Sequence, residues 1–164
     1  MERAQDAVSD VRRLVYGLRP PALDALGLLA ALRMHADHQN DGGTRVTVKA
    51  PDALPPLPAA VEVAVYRIVM EALNNVVRHS DASNCEVRLS LDDEPGMLTL
   101  EVHDDGRGIE ADHKSGVGLS SMRERAEELG GTCVVEAVPS DGTRVLARLP
   151  CAQAGAYENG GEEA

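Results

Sequence analysis

AAVEVAVYRIVMEALNNVVRH, residues 59–79, decides how this chain is read. The stretch holds neither proline nor glycine, and it follows a loop, Pro51–Pro58, that holds four prolines. On a helix advancing about 100° per residue, with Glu71 at 0°, Asn75 falls at about 40°, Arg78 at about −20° and His79 at about 80°. The apolar residues Val61, Val65, Ile68, Val69, Ala72, Leu73 and Val76 fall at roughly 60–200°. One face therefore packs into a core. Beside it a narrow stripe presents a carboxylate, an amide and a guanidinium, with an imidazole next to them. An amphipathic helix with a solvated polar face would read the same way. A ligand that wants all of these groups is a magnesium triphosphate. Mg²⁺ takes oxygen ligands, and the Asn75 amide oxygen could be one. Arg78 could meet phosphate charge, and Glu71 could orient or deprotonate a nucleophile.

Working outward from this helix, residues 2–18 read as helical, with Ala4, Val8, Val11, Leu14, Val15 and Leu18 at three- and four-residue steps. Pro20-Pro21 ends that helix. Asp24 reads as the N-cap of a second one carrying Leu28, Leu29, Leu32 and Ala36 on one side. After a turn at residues 40–43, strands are expected at 44–49, 84–91 and 97–103, the last two joined by a turn at 92–96. Residues 104–118 are polar and glycine-rich, hence a loop. A helix at 119–129 is stopped by Gly130-Gly131. Strands at 132–138 and 143–149 close the pattern around Asp141-Gly142. The tail from Cys151 has little apolar content and reads as disordered. The order implies an α+β fold: a two-layer α/β sandwich with one mixed, mostly antiparallel five-stranded sheet and helices on one face.

The formal net charge of −11 argues against nucleic acid, whose binding draws on a basic patch. With no Trp, no Phe and three Tyr, the core must be built from Leu, Val, Ile and Ala. Cys85, Cys133 and Cys151 form no C-x-x-C pair, which fits neither a disulfide framework nor a zinc site and suits a reducing cytoplasm. No apolar run approaches the roughly 18–20 residues of a membrane span, and the charged helical start, Met1-Glu2-Arg3, is not expected to be a signal peptide. The expected location is cytoplasmic, with any membrane part on sequence beyond this segment.

Two glycine-bearing loops follow the core strands. Asp104-Asp-Gly-Arg-Gly108 succeeds the strand ending at His103. A carboxylate there can accept from an exocyclic amine such as that of adenine, and Gly106 and Gly108 allow close approach to a flat base. Gly116-Val-Gly118-Leu119 opens the next helix, where free N–H groups and a positive dipole suit phosphate. Each loop alone also reads as an ordinary surface turn. Neither a Walker A loop nor a dinucleotide fingerprint is present.

Together these segments resemble the GHKL ATPases in their histidine-kinase form. Glu71-Ala-Leu-Asn-Asn75-Val-Val-Arg78-His79 resembles the asparagine box, and Asp104–Gly108 the first glycine box. Gly116-Val-Gly118-Leu-Ser-Ser-Met122-Arg-Glu-Arg125 resembles the second glycine box of the nitrate-sensor and desaturase-thermosensor subfamily. Gly142-Thr143 resembles a late element near the adenine pocket, and Leu18-Arg-Pro-Pro-Ala-Leu-Asp-Ala-Leu-Gly27-Leu-Leu the end of that subfamily's dimerisation region. The resemblance covers nearly everything from Val11 to Pro150 and implies a Bergerat-type ATPase fold.

It implies ATP and Mg²⁺ as ligands. Asn75 would coordinate the metal, Asp105 would read adenine, Glu71 would act as polarising base, and Arg78 and His79 would lie near the phosphates. Gly106, Gly108, Gly116, Gly118, Leu119 and Thr143 would line the nucleotide. The γ-phosphoryl would pass to a histidine and then to a response regulator. The expected domains are 1–40, a remnant of the helical dimerisation region; 41–150, the ATP-binding domain; and 151–164, the tail. The acceptor histidine is expected outside this segment, since His35 and His38 follow the second helix motif. The full-length protein would then be a homodimer, and this segment a monomer that does not autophosphorylate normally. Two other readings remain open: an anti-sigma-type serine kinase of the same ATPase class, and a nucleotide-gated binding module without transfer.

Overall fold

A computed structural model of the chain describes residues 19–92, 96–108 and 117–151. The helix expected over 2–18, Gly116, His113 and the tail beyond 151 lie outside the described residues. The element order is α1 (Pro21–Leu26), α2 (Leu28–Asn40), β1 (Arg45–Lys49), α3 (Ala59–Asn75), a π-helical turn (Val76–Ser80), β2 (Asn84–Leu91), β3 (Met97–Asp104), α4 (Val117–Glu128), β4 (Thr132–Ala137) and β5 (Thr143–Pro150). The sheet runs β1-β2-β3-β5-β4, with β1 parallel to β2 and every other pair antiparallel. This is the mixed five-stranded sheet expected, and β3 lies at its centre.

Strand alternation sorts the residues of the sheet onto two faces. Along β3, Leu98, Leu100, Val102 and Asp104 are buried while their neighbours are half-buried. From β2 and β5, Val87, Leu89, Val145, Ala147 and Leu149 join the same interior, against Val65, Ile68, Val69, Ala72 and Leu73 of α3. Met122 and Ala126 bring α4 onto it. Each fully buried aliphatic side chain contributes about 1.5–3 kcal/mol, so a core without Phe or Trp is sustained by number. The opposite face is polar: Lys49 pairs with Glu86 across β1 and β2 at 2.7 Å, and Arg144 pairs with Glu136 across β4 and β5.

One expectation near the start needs correction. Asp24 does not cap the long helix. It sits inside α1, where it accepts an ion pair from Arg19 Nε at 2.6 Å. The chain breaks instead at Gly27 (φ 79°), and α2 begins at Leu28 without a side-chain cap. Arg19 also donates to Glu62 of α3 at 3.0 Å, tying the entry segment to the central helix. Leu23, Leu28, Ala31, Leu32 and Ala36 are buried in the same core as the sheet. A helix whose apolar stripe has no other surface to cover it packs where that surface exists. Residues 21–40 therefore pack on the sheet's core.

Leu32 is fully buried, so Leu32→Ala should cost about 2–5 kcal/mol. Urea unfolding should show one cooperative transition moved to lower denaturant. A variant with unchanged midpoint would mean that α2 is not part of the folded unit.

Candidate nucleotide site

The C-terminal end of α3 departs from the α-helical path on which the polar stripe was projected. Val76–Ser80 form a π turn closed by Asp81 in the left-handed region (φ 51°). Ser80 Oγ donates to the Val76 carbonyl at 2.7 Å and accepts from Ala82 N–H at 3.1 Å, which satisfies the turn internally. A π turn holds more residues than 3.6, so each residue advances by less than 100°. His79 thus lags back toward the azimuth of Asn75, and Arg78 falls away beyond Glu71. The cavity follows this: Asn75 and His79 line it, whereas Arg78 is exposed and does not.

That cavity has a volume of about 350 Å³ and lies between α3, the ends of β3 and β5, and the start of α4. Ala72, Val76, Val102, Val135, Val145 and Leu119 form apolar walls. Asn75, His79, Ser80, Asp104, Arg107 and Thr143 supply polar groups, and Gly108 and Gly118 complete the rim. A larger, shallower groove of about 750 Å³ lies between α2 and β1, and none of the candidate site residues lines it.

Asp104 is the buried charge of this cleft, only 4% exposed. Its Oδ1 accepts from Gly106 N–H at 2.9 Å, and Thr143 N–H also bonds the carboxylate. Burial pushes its pKa up, and those two N–H groups partly offset the shift. Gly142 (φ 75°) carries no side chain because a Cβ would stand 2.0 Å from the Asp104 carbonyl oxygen. Asp105 points elsewhere. It is exposed, and its carboxylate accepts from Ser83 N–H (2.8 Å), Asn84 N–H (2.8 Å) and the Asn84 side-chain amide (2.9 Å). Those bonds, the Asn84 backbone first, hold it below the usual carboxylate range. The expectation that Asp105 faces the base is therefore corrected: it secures the start of β2, and Asp104 occupies the cleft.

Glu71 is half-buried, and its carboxylate lies against the first turn of α4; a Cβ on Gly118 would be 2.1 Å from Glu71 Oε1. Gly106 sits behind the rim as a donor to Asp104, while Gly108, Gly118, Leu119 and Thr143 line the cavity. Arg107, not singled out in the sequence, spans the π turn. Its Nε donates to the His79 carbonyl at 2.8 Å and its N–H to the Ser80 carbonyl at 2.9 Å.

Apolar walls, a buried carboxylate and a glycine-rimmed mouth at a helix start have the anatomy of a small-molecule site. A family described as histidine kinase-, DNA gyrase B-, and HSP90-like ATPase matches residues 60–153. The chain belongs to this ATPase family. Among its relatives are the signal transduction histidine-protein kinase/phosphatase DegS of Brevibacillus brevis, 32% identical over 89% of this chain, and the sensor histidine kinase LiaS of Bacillus subtilis, 35% identical over 90%. The chain spans 38% and 41% of those proteins. Among solved structures, the histidine kinase domain of the Erythrobacter litoralis EL346 blue-light activated kinase is 27% identical with a TM-score of 0.60, covering 74% of this chain and 60% of that one. The ATP-binding domain of PrrB from Mycobacterium tuberculosis shares the fold at a TM-score of 0.53 and 22% identity, over 74% of this chain and 92% of that one.

In this ATPase domain the sequence held a signal for Asp104 that the glycine motif obscured. Leu98, Leu100 and Val102 alternate inward, so the next inward position is 104 and not 105. The π turn left no comparable trace.

A buried Asp with a raised folded-state pKa binds its proton more tightly in the native state than in the unfolded chain. Its contribution to stability is therefore most favourable at low pH and falls as pH rises from the ordinary aspartate range through the raised folded value. Relative to Asp104→Asn, the parent domain should lose stability over that rise. Paired urea titrations between acid and neutral pH check this, and a pH-independent difference would contradict the burial argument. Gly142→Ala should destabilise by more than about 1 kcal/mol, since both φ and the backbone contact oppose a side chain; an unchanged melting temperature would show that the turn does not press on Asp104.

Proposed function

We propose that this domain is the catalytic portion of a two-component sensor histidine kinase, binding Mg-ATP in the cleft with adenine on Asp104. The observation that carries the reading is the buried Asp104 carboxylate lining a cavity with apolar walls and a glycine rim. An exocyclic amine is a ligand group that suits such an acceptor, because a buried carboxylate gains from a donor to the lone pairs that Gly106 and Thr143 leave open. The kinase names of the relatives supply the rest. The motif from Leu18 to Leu29 and the run Met122–Arg125 favour the nitrate-sensor and desaturase-thermosensor subfamily.

Asn75 offers a neutral amide oxygen on the cleft wall, a hard donor of the kind Mg²⁺ accepts alongside phosphate and water oxygens. Bound there, the ion would neutralise phosphate charge. His79 and Arg107 stand at the same wall as cationic or donor groups for the phosphate chain. Gly118 and Leu119 open α4, whose N-terminal N–H groups favour an anion. Gly116, just before them, would extend that rim. The acceptor imidazole nitrogen would attack the γ-phosphorus as the bond to the β-bridging oxygen breaks. Glu71 would take the imidazole proton, and ADP would leave. Positioning and charge stabilisation carry most of such a transfer. The phosphoryl would then pass to an aspartate of a response regulator. The complete sensor would act as a homodimer, in the cytoplasm, with any membrane attachment on other segments.

Asp104→Asn should weaken Mg-ATP binding at least about tenfold, since a charged acceptor is lost, while Asp105→Asn should change it by less than about twofold. Isothermal titration reads both. The reverse ranking would return the base to Asp105. Incubation with labelled ATP and a supplied acceptor-helix protein should yield acid-labile phosphohistidine that Glu71→Gln suppresses. Acid-stable phosphoserine on a partner, or binding without transfer, would overturn the kinase assignment.

A further inference from the structure

The turn between β4 and β5 is an awkward piece of backbone at a critical place. Ser140 (φ 63°) and Gly142 (φ 75°) both lie in the left-handed region, and a non-glycine residue held there needs support from its surroundings. The turn closes on itself through Asp141 N–H to the Val138 carbonyl (3.0 Å) and Val138 N–H to the Gly142 carbonyl (2.9 Å). Its C-terminal end seats Gly142 on the Asp104 backbone and Thr143 N–H on the Asp104 carboxylate. The side-chain hydrogen bond that enters the turn comes from His103, the residue before Asp104. Its Nε2–H donates to the Asp141 carbonyl at 2.8 Å, with Asp141 Oδ2 at 3.4 Å.

We propose that His103 is a positioning residue for the base subsite: from the back face of the sheet it clamps the β4–β5 turn so that Gly142 and Thr143 stay seated on Asp104. Successive residues of a strand point to opposite faces, so His103 and Asp104 reach the same turn from two sides. In the β3–β5 register His103 is opposite Arg144 and Asp104 opposite Thr143. His103 is not among the residues lining the cavity. It acts through the turn, and the turn fixes where the Asp104 carboxylate points. An acceptor held at one angle favours adenine, whose amine donates, over guanine, whose carbonyl at the same ring position cannot. His103 therefore sharpens the choice between ATP and GTP. This inference rests on the adenine reading of the cleft.

The test uses the purified chain, titrated with Mg-ATP and with Mg-GTP, as parent, His103→Leu and His103→Gln. The Gln variant keeps an N–H at comparable reach. His103→Leu should weaken ATP about tenfold, the cost of one lost hydrogen bond with its geometry, and leave the weaker GTP affinity unchanged. Backbone hydrogen exchange at Gly142 and Thr143 should speed up without nucleotide, and His103→Gln should restore most of both effects. Parental ATP affinity in His103→Leu, or an equal loss for both nucleotides alongside a lowered melting temperature, would overturn the positioning role. A parent that binds neither nucleotide would overturn the site reading and this inference with it. A parent that binds ATP beside an unaffected Leu variant overturns the inference alone.

Discussion

A carboxylate that is 4% exposed at the end of the central strand has to be hydrogen-bonded, and nearly every feature of the cleft follows from meeting that demand at Asp104. Gly106 and Thr143 supply N–H donors. Gly142 gives the neighbouring strand room to come close. The two bonds leave acceptor capacity facing the cavity, because an ionised carboxylate has more lone pairs than they use. Burial raises the energy of the charged group, and a further donor, such as the amine of a base, would lower it. The site is thus poised by a local cost, offset by the surrounding core.

The rest of the domain supports that arrangement. The core of Leu, Val, Ile and Ala holds α3 against β3 and β5, which fixes the distance between the amide of Asn75 and the carboxylate of Asp104. The π turn at Val76–Ser80 brings His79 back to the cleft, and Arg107 ties that turn to the glycine loop through two backbone carbonyls. The polar back face takes part as well, since His103 braces from behind the turn that Asp104 meets in front.

Much of this was legible in the residues alone. The five strands and the helices at 59–75 and 117–128 lie close to where periodicity placed them, because long apolar repeats against a polar background leave little choice of buried face. Local deviations were harder to see. A π turn depends on how the end of a helix is satisfied by Ser80 and Arg107, contacts distant from hydrophobic spacing. The break at Gly27 competed with Asp24, a good capping residue that was drawn to Arg19 instead. Asp104 and Asp105 are chemically identical neighbours, and only the alternation of β3 distinguishes them. The packing of residues 21–40 onto the sheet reflects tertiary burial that no local pattern encodes.

The central claim is most directly tested by a crystal structure of the domain with Mg²⁺ and a non-hydrolysable ATP analogue. The account predicts the exocyclic amine of adenine within hydrogen-bonding distance of the Asp104 carboxylate, with the phosphates running past Asn75 toward the start of α4. A base stacked outside the cleft, or one held by Asp105 at the start of β2, would contradict it.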